Sequence, residues 1–131
     1  VADFRPTNVA AAKIKKGAGE PDVIALTKTD DFLAGLVQSR RDGQLPGTSI
    51  VGFAAETGDD QGDVLTHARA KLARKGCDLL VVNEVGVGVT FGQDDNTVHL
   101  LERGTDHVTD IGPATKLEVA HAVWDAVTDL L

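Results

Sequence analysis

Apolar residues are grouped along the chain in short continuous runs, separated by segments in which they repeat at helical spacing. The runs from Ser49 to Ala55 and from Asp78 to Asn83 lack apolar–polar alternation, which is typical of interior strands covered on both faces in a parallel sheet. The segment between them, from about Asp63 to Lys75, has one apolar face and is followed by Gly76, the residue favoured just past a helix end. This order predicts a βαβ unit with a right-handed crossover.

Upstream of this unit, the pattern predicts a strand followed closely by a helix. Asp22 to Thr27 has the character of a short strand, and the helix after it is expected to end near Arg40. Thr29 or Asp30 is expected to cap this helix. Asp31 lies where a carboxylate favours the positive end of the helix dipole.

The remainder of the chain is predicted to form a hairpin and a final helix. Asn96 to Glu102 and His107 to Ile111 are the expected arms of the hairpin, joined by a turn at residues 103–106. Thr115 and Glu118 have the spacing of a capping box at the helix start. The single tryptophan is predicted to anchor this helix in the core. Its predicted packing face is Leu117, Ala120, Trp124, Val127 and Leu131.

Composition and charge limit the class of protein. The chain has 131 residues, enough for one domain with a buried core. A net charge of -7 argues against a nucleic-acid surface, which needs a basic stripe. No apolar run approaches the roughly 20 residues of a membrane span and no signal sequence leads the chain, so we expect a cytoplasmic protein. The chain also lacks an initial methionine and starts with the apolar character of a strand, which is typical of a fragment.

Several enzyme classes are excluded because their motifs are missing. The histidines lack partners at zinc-ligand spacing, no serine lies in a nucleophile elbow, and there is no P-loop motif. The glycines between Glu84 and Gly92 do not fit the dinucleotide fingerprint, and no helix follows them, so a mobile loop is predicted there. Cys77, the only cysteine, is predicted to be a buried structural thiol. Anion binding by lysines remains the candidate chemistry.

The first sixteen residues are one candidate anion site. An apolar start is predicted to run as a strand into Asp3, and the loop after it ends in Lys13, Lys15 and Lys16. Ligands of open α/β sheets bind where the chain leaves the carboxyl ends of strands, so this arrangement favours a polyanion. A solvated lysine cluster on an ordinary surface is the commoner reason for such a pattern.

A basic stripe on the predicted helix between the two buried runs is the other candidate. His67, Lys71 and Lys75 repeat every four residues and therefore share one side of the helix. Like charges on successive turns cost a few tenths of a kcal/mol unless an acid or anion lies between them. An unbalanced pair is what a phosphate-binding helix would show. It is also what a basic helix C-terminus shows, and the spacing leaves both interpretations open.

Longer stretches of the chain resemble one enzyme family. ADFRP followed by AAAKIKK begins the match, which continues through TKTDDFL, GFAAET, ARAKLARKGCDLLVVN and FGQDDNTVHLL over nearly the whole chain. These stretches are similar to the second half of the phosphopantothenate-cysteine ligases (phosphopantothenoylcysteine synthetases) of coenzyme A biosynthesis. GFAAETGD and HARAKLARKGCDLLVVN look most like the actinobacterial members, in which the ligase is the C-terminal part of a bifunctional decarboxylase/ligase.

The resemblance implies an α/β, Rossmann-like three-layer sheet with flanking helices, truncated at its N-terminal half, in which residues 1–131 are the CTP-binding portion of the ligase domain. Family members are homodimers and join 4'-phosphopantothenate to L-cysteine. They use CTP to form an acyl-cytidylate with release of pyrophosphate, and the amine of cysteine then attacks. Lysines and a divalent cation, Mg2+, would neutralise the phosphate charge. FMN belongs only to the decarboxylase part, which is absent from this chain.

The resemblance also implies site residues, carried over by position. Lys13, which is also assigned the catalytic role, would hold the triphosphate together with Lys71 and Lys75. Phe53 would line the nucleoside pocket, and the start of the first helix would read the pyrimidine partly through backbone groups. Asp3 is implied as a nucleotide contact or as a metal ligand, and the sequence leaves both roles open. The full implied set is Asp3, Lys13, Asp30, Asp31, Phe32, Leu33, Phe53, Lys71 and Lys75.

The chain departs from the family pattern in what it lacks. A Gly- and Ser-rich phosphate loop and an asparagine that family members carry upstream of ADxRP are missing, and Asp30 stands where many relatives have proline. We therefore expect CTP binding without ligation by this chain alone. One alternative is a non-catalytic α/β module whose basic stripe docks an acidic partner or a neighbouring subunit, with residues 84–95 and the strand from Asn96 as contact surface. A further alternative is an ATP-using relative.

Overall fold

A computed structural model of the chain describes residues 2–14, 17, 23–86 and 94–131. The chain divides into two compact units, Val1–Phe32 and Leu33–Leu131. The first unit contains a two-stranded antiparallel sheet of β1 (Phe4–Pro6) and β2 (Leu26–Lys28). Beyond it the described elements are α1 (Phe32–Arg41), β3 (Val51–Glu56), α2 (Val64–Lys75), β4 (Leu79–Glu84), β5 (Asp95–Glu102), β6 (Val108–Thr115) and α3 (Lys116–Asp129).

The described strands of the second unit form one mixed sheet in the order β3-β4-β5-β6. β3 and β4 are parallel neighbours joined through α2, which confirms the predicted βαβ unit. β4 pairs antiparallel with β5, and β5 antiparallel with β6, which confirms the predicted hairpin. The second arm continues beyond the predicted end at Ile111, as far as Thr115.

Helices cover both faces of this sheet, so the predicted three-layer α/β class is confirmed. Val37 of α1 and Ala68 and Leu72 of α2 pack with Leu80, Val82 and Leu101 on one face. On the other face, α3 packs through Val119 against a separate cluster of strand residues, Leu79, Val81, Val98 and Leu100. Alternate residues of β4 enter two different cores, which explains the continuous apolar run from Leu79 to Val82.

Helix α2 has the ends that the sequence predicts. Asp63 is its N-cap, and the Asp63 carboxylate accepts a 2.7 Å hydrogen bond from the backbone N–H of Thr66. Gly76 follows the helix with φ 72°, the left-handed conformation that glycine adopts without steric cost. Its N–H donates to the carbonyl of Leu72 and closes the last turn.

The prediction that the Ser49–Ala55 run is an interior strand is wrong. Among the described strands, β3 lies at the edge of the sheet and pairs only with β4. Its alternate residues Gly52 and Ala54 face the covered side, whereas the side chain of Phe53 is 67% exposed. The continuous apolar run was therefore not a reliable sign of two covered faces: among the described elements, α3 packs mainly against β5 and β6.

Gly52 is needed because helix α1 and the thiol of Cys77 crowd this strand. A Cβ at position 52 would lie 2.8 Å from Cδ2 of Leu33 and 3.1 Å from Sγ of Cys77. Cys77 is fully buried, as predicted for a structural thiol, and this burial raises the pKa of the thiol. The glycine thus allows α1 to pack directly on β3.

The N-terminus of α3 was predicted correctly, but its packing face was not. Thr115 and Glu118 form the expected reciprocal capping box. Leu117, Trp124 and Leu131 are 68%, 69% and 89% exposed, so the tryptophan is not a core anchor. The residues that pack against the sheet are instead Val119, Val123, Ala126, Val127 and Leu130.

Two further predictions for the first unit are wrong. Asp3 precedes strand β1 and does not end a strand, because the segment predicted as a loop with Arg5 and Pro6 pairs with β2. Neither Thr29 nor Asp30 lies at the capping position, because α1 begins at Phe32 and Asp31 directly precedes it. The hydroxyl of Thr29 instead donates a 2.5 Å hydrogen bond to the carbonyl of Ala2. The predicted strand Asp22–Thr27 corresponds to β2, shifted to Leu26–Lys28.

Candidate functional site

The site residues implied for the first unit come from two segments that lie side by side. The backbone N–H of Thr29 donates a 3.0 Å hydrogen bond to the carbonyl of Asp3, which places the residue before Asp30 next to Asp3. Asp3, Asp30 and Lys13 are all exposed. Lys15 and Lys16, the rest of the predicted lysine cluster, lie outside the described residues.

Helix α1 begins at Phe32, so Asp31 occupies the position immediately before its first turn. The first N–H groups of a helix have no partner within it and can be donated to a ligand. The side chain of Phe32 is 64% exposed. The side chain of Leu33 instead packs against the core beside Gly52, so Leu33 can reach a ligand only through its backbone.

In the second unit, the carboxyl end of β3 carries the polar and aromatic groups of the site. Phe53 and Ala55 point to one face of the sheet, and Ala54 and Glu56 to the face that α2 covers. The exposed ring of Phe53 offers an apolar surface on which a planar group can stack. Its role in a nucleoside pocket stays a prediction.

The basic stripe of α2 is not unbalanced, contrary to the expectation from spacing. Nζ of Lys71 lies 2.6 Å from Oε1 of Glu56, and Nε2 of His67 lies 2.8 Å from Oδ1 of Asp59. Both carboxylates follow Phe53 in the chain, one at the end of β3 and one in the loop after it. Lys75 is half-buried one turn beyond Lys71 and also has an interaction partner.

The loop between β3 and α2 is held by the Asp59 carboxylate. The backbone N–H groups of Gln61 and Gly62 donate to it at 2.8 and 3.2 Å, and with His67 they lower the pKa of Asp59. The N–H of Thr66 likewise lowers the pKa of Asp63 at the helix N-cap. Both carboxylates therefore stay ionised at neutral pH, next to the basic stripe.

Further polar side chains line the same edge of the sheet on β4, β5 and β6. Nδ2 of Asn96 donates to Oδ1 of Asn83 at 2.7 Å, and Nδ2 of Asn83 donates to the carbonyl of Ala54 at 3.3 Å. This relay ties β5 to β3 across β4. Beside it, Nδ1 of His99 lies 2.6 Å from Oδ1 of Asp110.

The described residues bring no three His, Cys, Asp or Glu side chains together in an arrangement that could hold a metal ion. Asp3 as a metal ligand stays a prediction. The predicted mobile loop at 84–92 begins within β4, and its residues 87–92 lie outside the described part of the chain.

A cavity of about 460 Å³ lies at the opposite edge of the sheet, before the parallel strands begin. Its lining includes Arg40, Asp78 and Arg103, and none of the implied site residues. The carboxylate of Asp78 accepts hydrogen bonds from both guanidinium groups and from the backbone N–H of Ile50. Glu102 also lines the cavity, so two arginines face two carboxylates there and their formal charges cancel. We therefore favour the carboxyl edge as the site.

Sequence reasoning did not select Glu56, although the GFAAET motif contains it. The available signal was its position, an acid at the end of the strand that carries Phe53. Its partner Lys71 is fifteen residues away, so no helical spacing relates the two. The relay from Asn83 to Asn96 was missed for the same reason.

Comparison with known proteins identifies what the chain resembles. The family described as DNA/pantothenate metabolism flavoprotein C-terminal domain matches residues 1–131. The coenzyme A biosynthesis bifunctional protein CoaBC of Mycolicibacterium smegmatis is 62% identical over 133 residues, and that of Mycobacterium tuberculosis is 56% identical. Both alignments cover 100% of this chain, but only 32% and 31% of the relatives, so the chain spans about a third of their length.

A solved structure agrees with the fold. The C-terminal domain of a coenzyme A biosynthesis bifunctional protein CoaBC has a TM-score of 0.61 and 25% sequence identity. The match covers 84% of this chain and 50% of that one. Among the described residues of our chain, no helix has the length and apolar character needed to cross a membrane.

Proposed function

The chain belongs to the DNA/pantothenate metabolism flavoprotein C-terminal domain family, and on this premise we propose that it is the CTP-binding part of a phosphopantothenate-cysteine ligase of coenzyme A biosynthesis. The proposed reaction joins 4'-phosphopantothenate and L-cysteine through an acyl-cytidylate. The two mycobacterial relatives, which are coenzyme A biosynthesis bifunctional proteins, support this assignment.

The observation that carries the proposal is the meeting of Lys71 and β3 at the carboxyl edge of the sheet. Open α/β sheets bind nucleotides at this edge, where chain ends and helix N-termini present polar groups. Phe53, on the same strand, supplies an exposed ring for a base or ribose, while Lys71 supplies charge for the phosphates. Lys13 and Lys75 are the further proposed triphosphate ligands.

In this proposal the residues of the chain bind and orient the nucleotide and do no covalent chemistry. The ammonium groups stabilise the negative charge that develops on the α-phosphate and on the departing pyrophosphate. The N-terminus of α1, with Asp30, Asp31, Phe32 and Leu33, binds the pyrimidine. We also propose that the whole ligase is a cytoplasmic homodimer. We further propose that this chain alone does not ligate. Ligase turnover by the chain alone would contradict this second proposal.

Isothermal titration calorimetry with CTP tests the proposal, with ATP and inorganic triphosphate as comparison ligands and magnesium in every sample. CTP is expected to bind more tightly than both, because only CTP fits a pyrimidine pocket. Lys71→Ala is expected to weaken CTP binding about tenfold, the effect of a charge-assisted contact. Lys75→Ala is also expected to weaken it.

Arg74→Ala is the matched control, since it removes the same charge from an exposed position of the same helix. Equal weakening by Arg74→Ala would show that only the overall charge of α2 matters. Equal affinity for CTP and inorganic triphosphate would indicate a generic anion stripe. Preference for ATP would favour the ATP-using alternative, and no binding to any ligand would contradict nucleotide binding by this chain.

A further inference from the structure

Glu56 is the last residue of β3, and its environment is unusual for a strand-end acid. The side chain of Glu56 is only 18% exposed and lies on the face of the sheet that α2 covers. Its carbonyl accepts a 3.0 Å hydrogen bond from the N–H of Val85, which fastens the strand end to the residue after β4. The backbone of Glu56 is therefore held in place, and its carboxylate is partly removed from water.

The neighbouring strand adds negative charge beside Glu56. Glu84, the last residue of β4, is the register partner of Glu56, so the two acids are side by side on parallel strands. Like charges at neighbouring strand positions repel each other. The ammonium group of Lys71 lies 2.6 Å from Glu56 and offsets this repulsion. Nε2 of His99 lies 3.7 Å from the carboxylate of Glu84.

The contact with Glu56 restricts Lys71 before any ligand is bound. A lysine side chain has four flexible carbons, and ordering it costs conformational entropy. Because Glu56 already orders Lys71 in the free protein, less of this entropy remains to be lost when a ligand binds. An ammonium group has three N–H donors, and Glu56 accepts from one of them. The side chain of Lys71 keeps 29% exposure, so it is still accessible at the edge of the sheet.

We propose that Glu56 is a positioning residue that holds the ammonium group of Lys71 ready for the phosphates of the nucleotide. This inference rests on the proposed function, because it assigns Glu56 a role in the same site. Glu56 itself touches no phosphate, since two negative groups repel. Its contribution is to orient the lysine, and a neutral hydrogen-bond acceptor of the same shape should provide most of it.

A double-mutant cycle with CTP binding as the readout tests this coupling. Glu56→Ala is expected to weaken CTP binding about tenfold, whereas Glu56→Gln, which keeps an acceptor oxygen, is expected to stay within about twofold of the parent. In a Lys71→Ala background, Glu56→Ala should cause no further loss. A full additional loss in that background would mean that Glu56 acts independently of Lys71. Tighter binding by both Glu56 variants would identify Glu56 as a competing counter-ion, and either result would overturn the proposal.

Lysine acylation followed by mass spectrometry tests the positioning without any nucleotide. Lys71 is expected to react several-fold more slowly in the parent and in Glu56→Gln than in Glu56→Ala, with exposed Lys116 as the internal reference. Asp59→Asn is the matched control, because it removes a neighbouring carboxylate that contacts the same helix through His67. Circular dichroism of each variant checks that it is folded, and Glu56→Gln preserves the volume of the side chain.

The two readouts separate failure of this inference from failure of the proposed function. Equal acylation rates of Lys71 in the parent and in Glu56→Ala would overturn the positioning role, whatever the chain binds. A Glu56-dependent rate in a chain that binds no CTP would support the positioning of Lys71 and contradict the nucleotide assignment.

Discussion

The two edges of the main sheet carry similar charged groups, but these groups differ in their hydrogen-bond partners and in their exposure to solvent. At the edge where the parallel strands begin, Asp78 is 15% exposed and accepts from Arg40, Arg103 and the N–H of Ile50. Arg40 donates in addition to the carbonyls of Thr48 and Gly76. At the carboxyl edge, the side chain of Lys71 contacts the carboxylate of Glu56 through its ammonium group and remains 29% exposed. A closed network like that around Asp78 stabilises the fold, whereas a partly exposed lysine side chain can also contact a ligand.

The volume of a cavity does not indicate where this molecule can bind an anion. The cavity of about 460 Å³ lies at the closed network, where Arg40 and Arg103 both contact the carboxylate of Asp78. The carboxyl edge has the exposed ring of Phe53 and the partly exposed side chain of Lys71. Chemical capacity to bind an anion is therefore greater where the surface is more open.

The largest expected effect is on stability, from a change at the closed edge. Asp78→Ala is expected to lower the free energy of unfolding by about 2–3 kcal/mol, because it leaves Arg40 and the N–H of Ile50 without their acceptor. Urea denaturation followed by circular dichroism measures this change. Arg103→Ala is the control, since Arg103 is 57% exposed and its removal should cost about 0.5 kcal/mol. A loss from Asp78→Ala no larger than that from Arg103→Ala would contradict the proposed difference between the edges.

Acid should weaken the network around Asp78. Burial alone would raise the pKa of Asp78, but the bonds from Arg40, Ile50 and Arg103 outweigh it and hold that pKa below its usual value. A lowered pKa in the folded state gives a stability contribution that is complete above about pH 4, the unfolded value, and is lost as the pH falls through the folded one. Urea midpoints measured from pH 7 to pH 3 should converge for the parent and Asp78→Asn in acid. A constant gap would argue against the ionised carboxylate as its source.

At the carboxyl edge, the expected effects on binding and on stability separate. Lys71→Ala should lower the free energy of unfolding by less than about 1 kcal/mol, although CTP binding falls about tenfold. Thermal unfolding without nucleotide and calorimetry with CTP provide the two values. A large loss of stability would mean that the Glu56–Lys71 pair is a structural element like the Asp78 network.

The smallest effect is expected from the exposed pair of His67 and Asp59. Asp59 is 56% exposed and takes part in its loop through backbone donors as well as through the histidine. Asp59→Asn keeps an acceptor oxygen for these donors, so neither thermal stability nor CTP affinity should change measurably. A clear loss of CTP affinity would extend the site to the loop after β3.

The local rules of the sequence predicted the elements at the centre of the fold. Asp63 and Gly76 mark the ends of α2, Thr115 and Glu118 mark the start of α3, and the apolar run in β4 marks a strand with two covered faces. Each of these signals depends on residues a few positions apart. Interactions over that distance are fixed by chain geometry and hardly depend on the rest of the molecule.

The predictions that were wrong concern features that depend on tertiary packing. Helix α3 is apolar on two sides, and the sequence does not indicate that Val119 and Val123 face the sheet in place of Leu117 and Trp124. Strand β1 has three residues, one of them Pro6, and therefore shows no periodicity. In the candidate site, spacing gave the basic stripe but not its acidic partners, because Glu56 meets Lys71 only after α2 packs on β3.

The exposed position of Trp124 determines how the molecule can be observed. It is the only tryptophan of the chain, and 69% of its surface is in contact with solvent. An indole that is already hydrated changes its emission little on unfolding, so intrinsic fluorescence should be a weak reporter of denaturation and circular dichroism a better one. The same indole would shift its emission to shorter wavelength if another surface covered α3, which makes it a built-in optical probe of that helix.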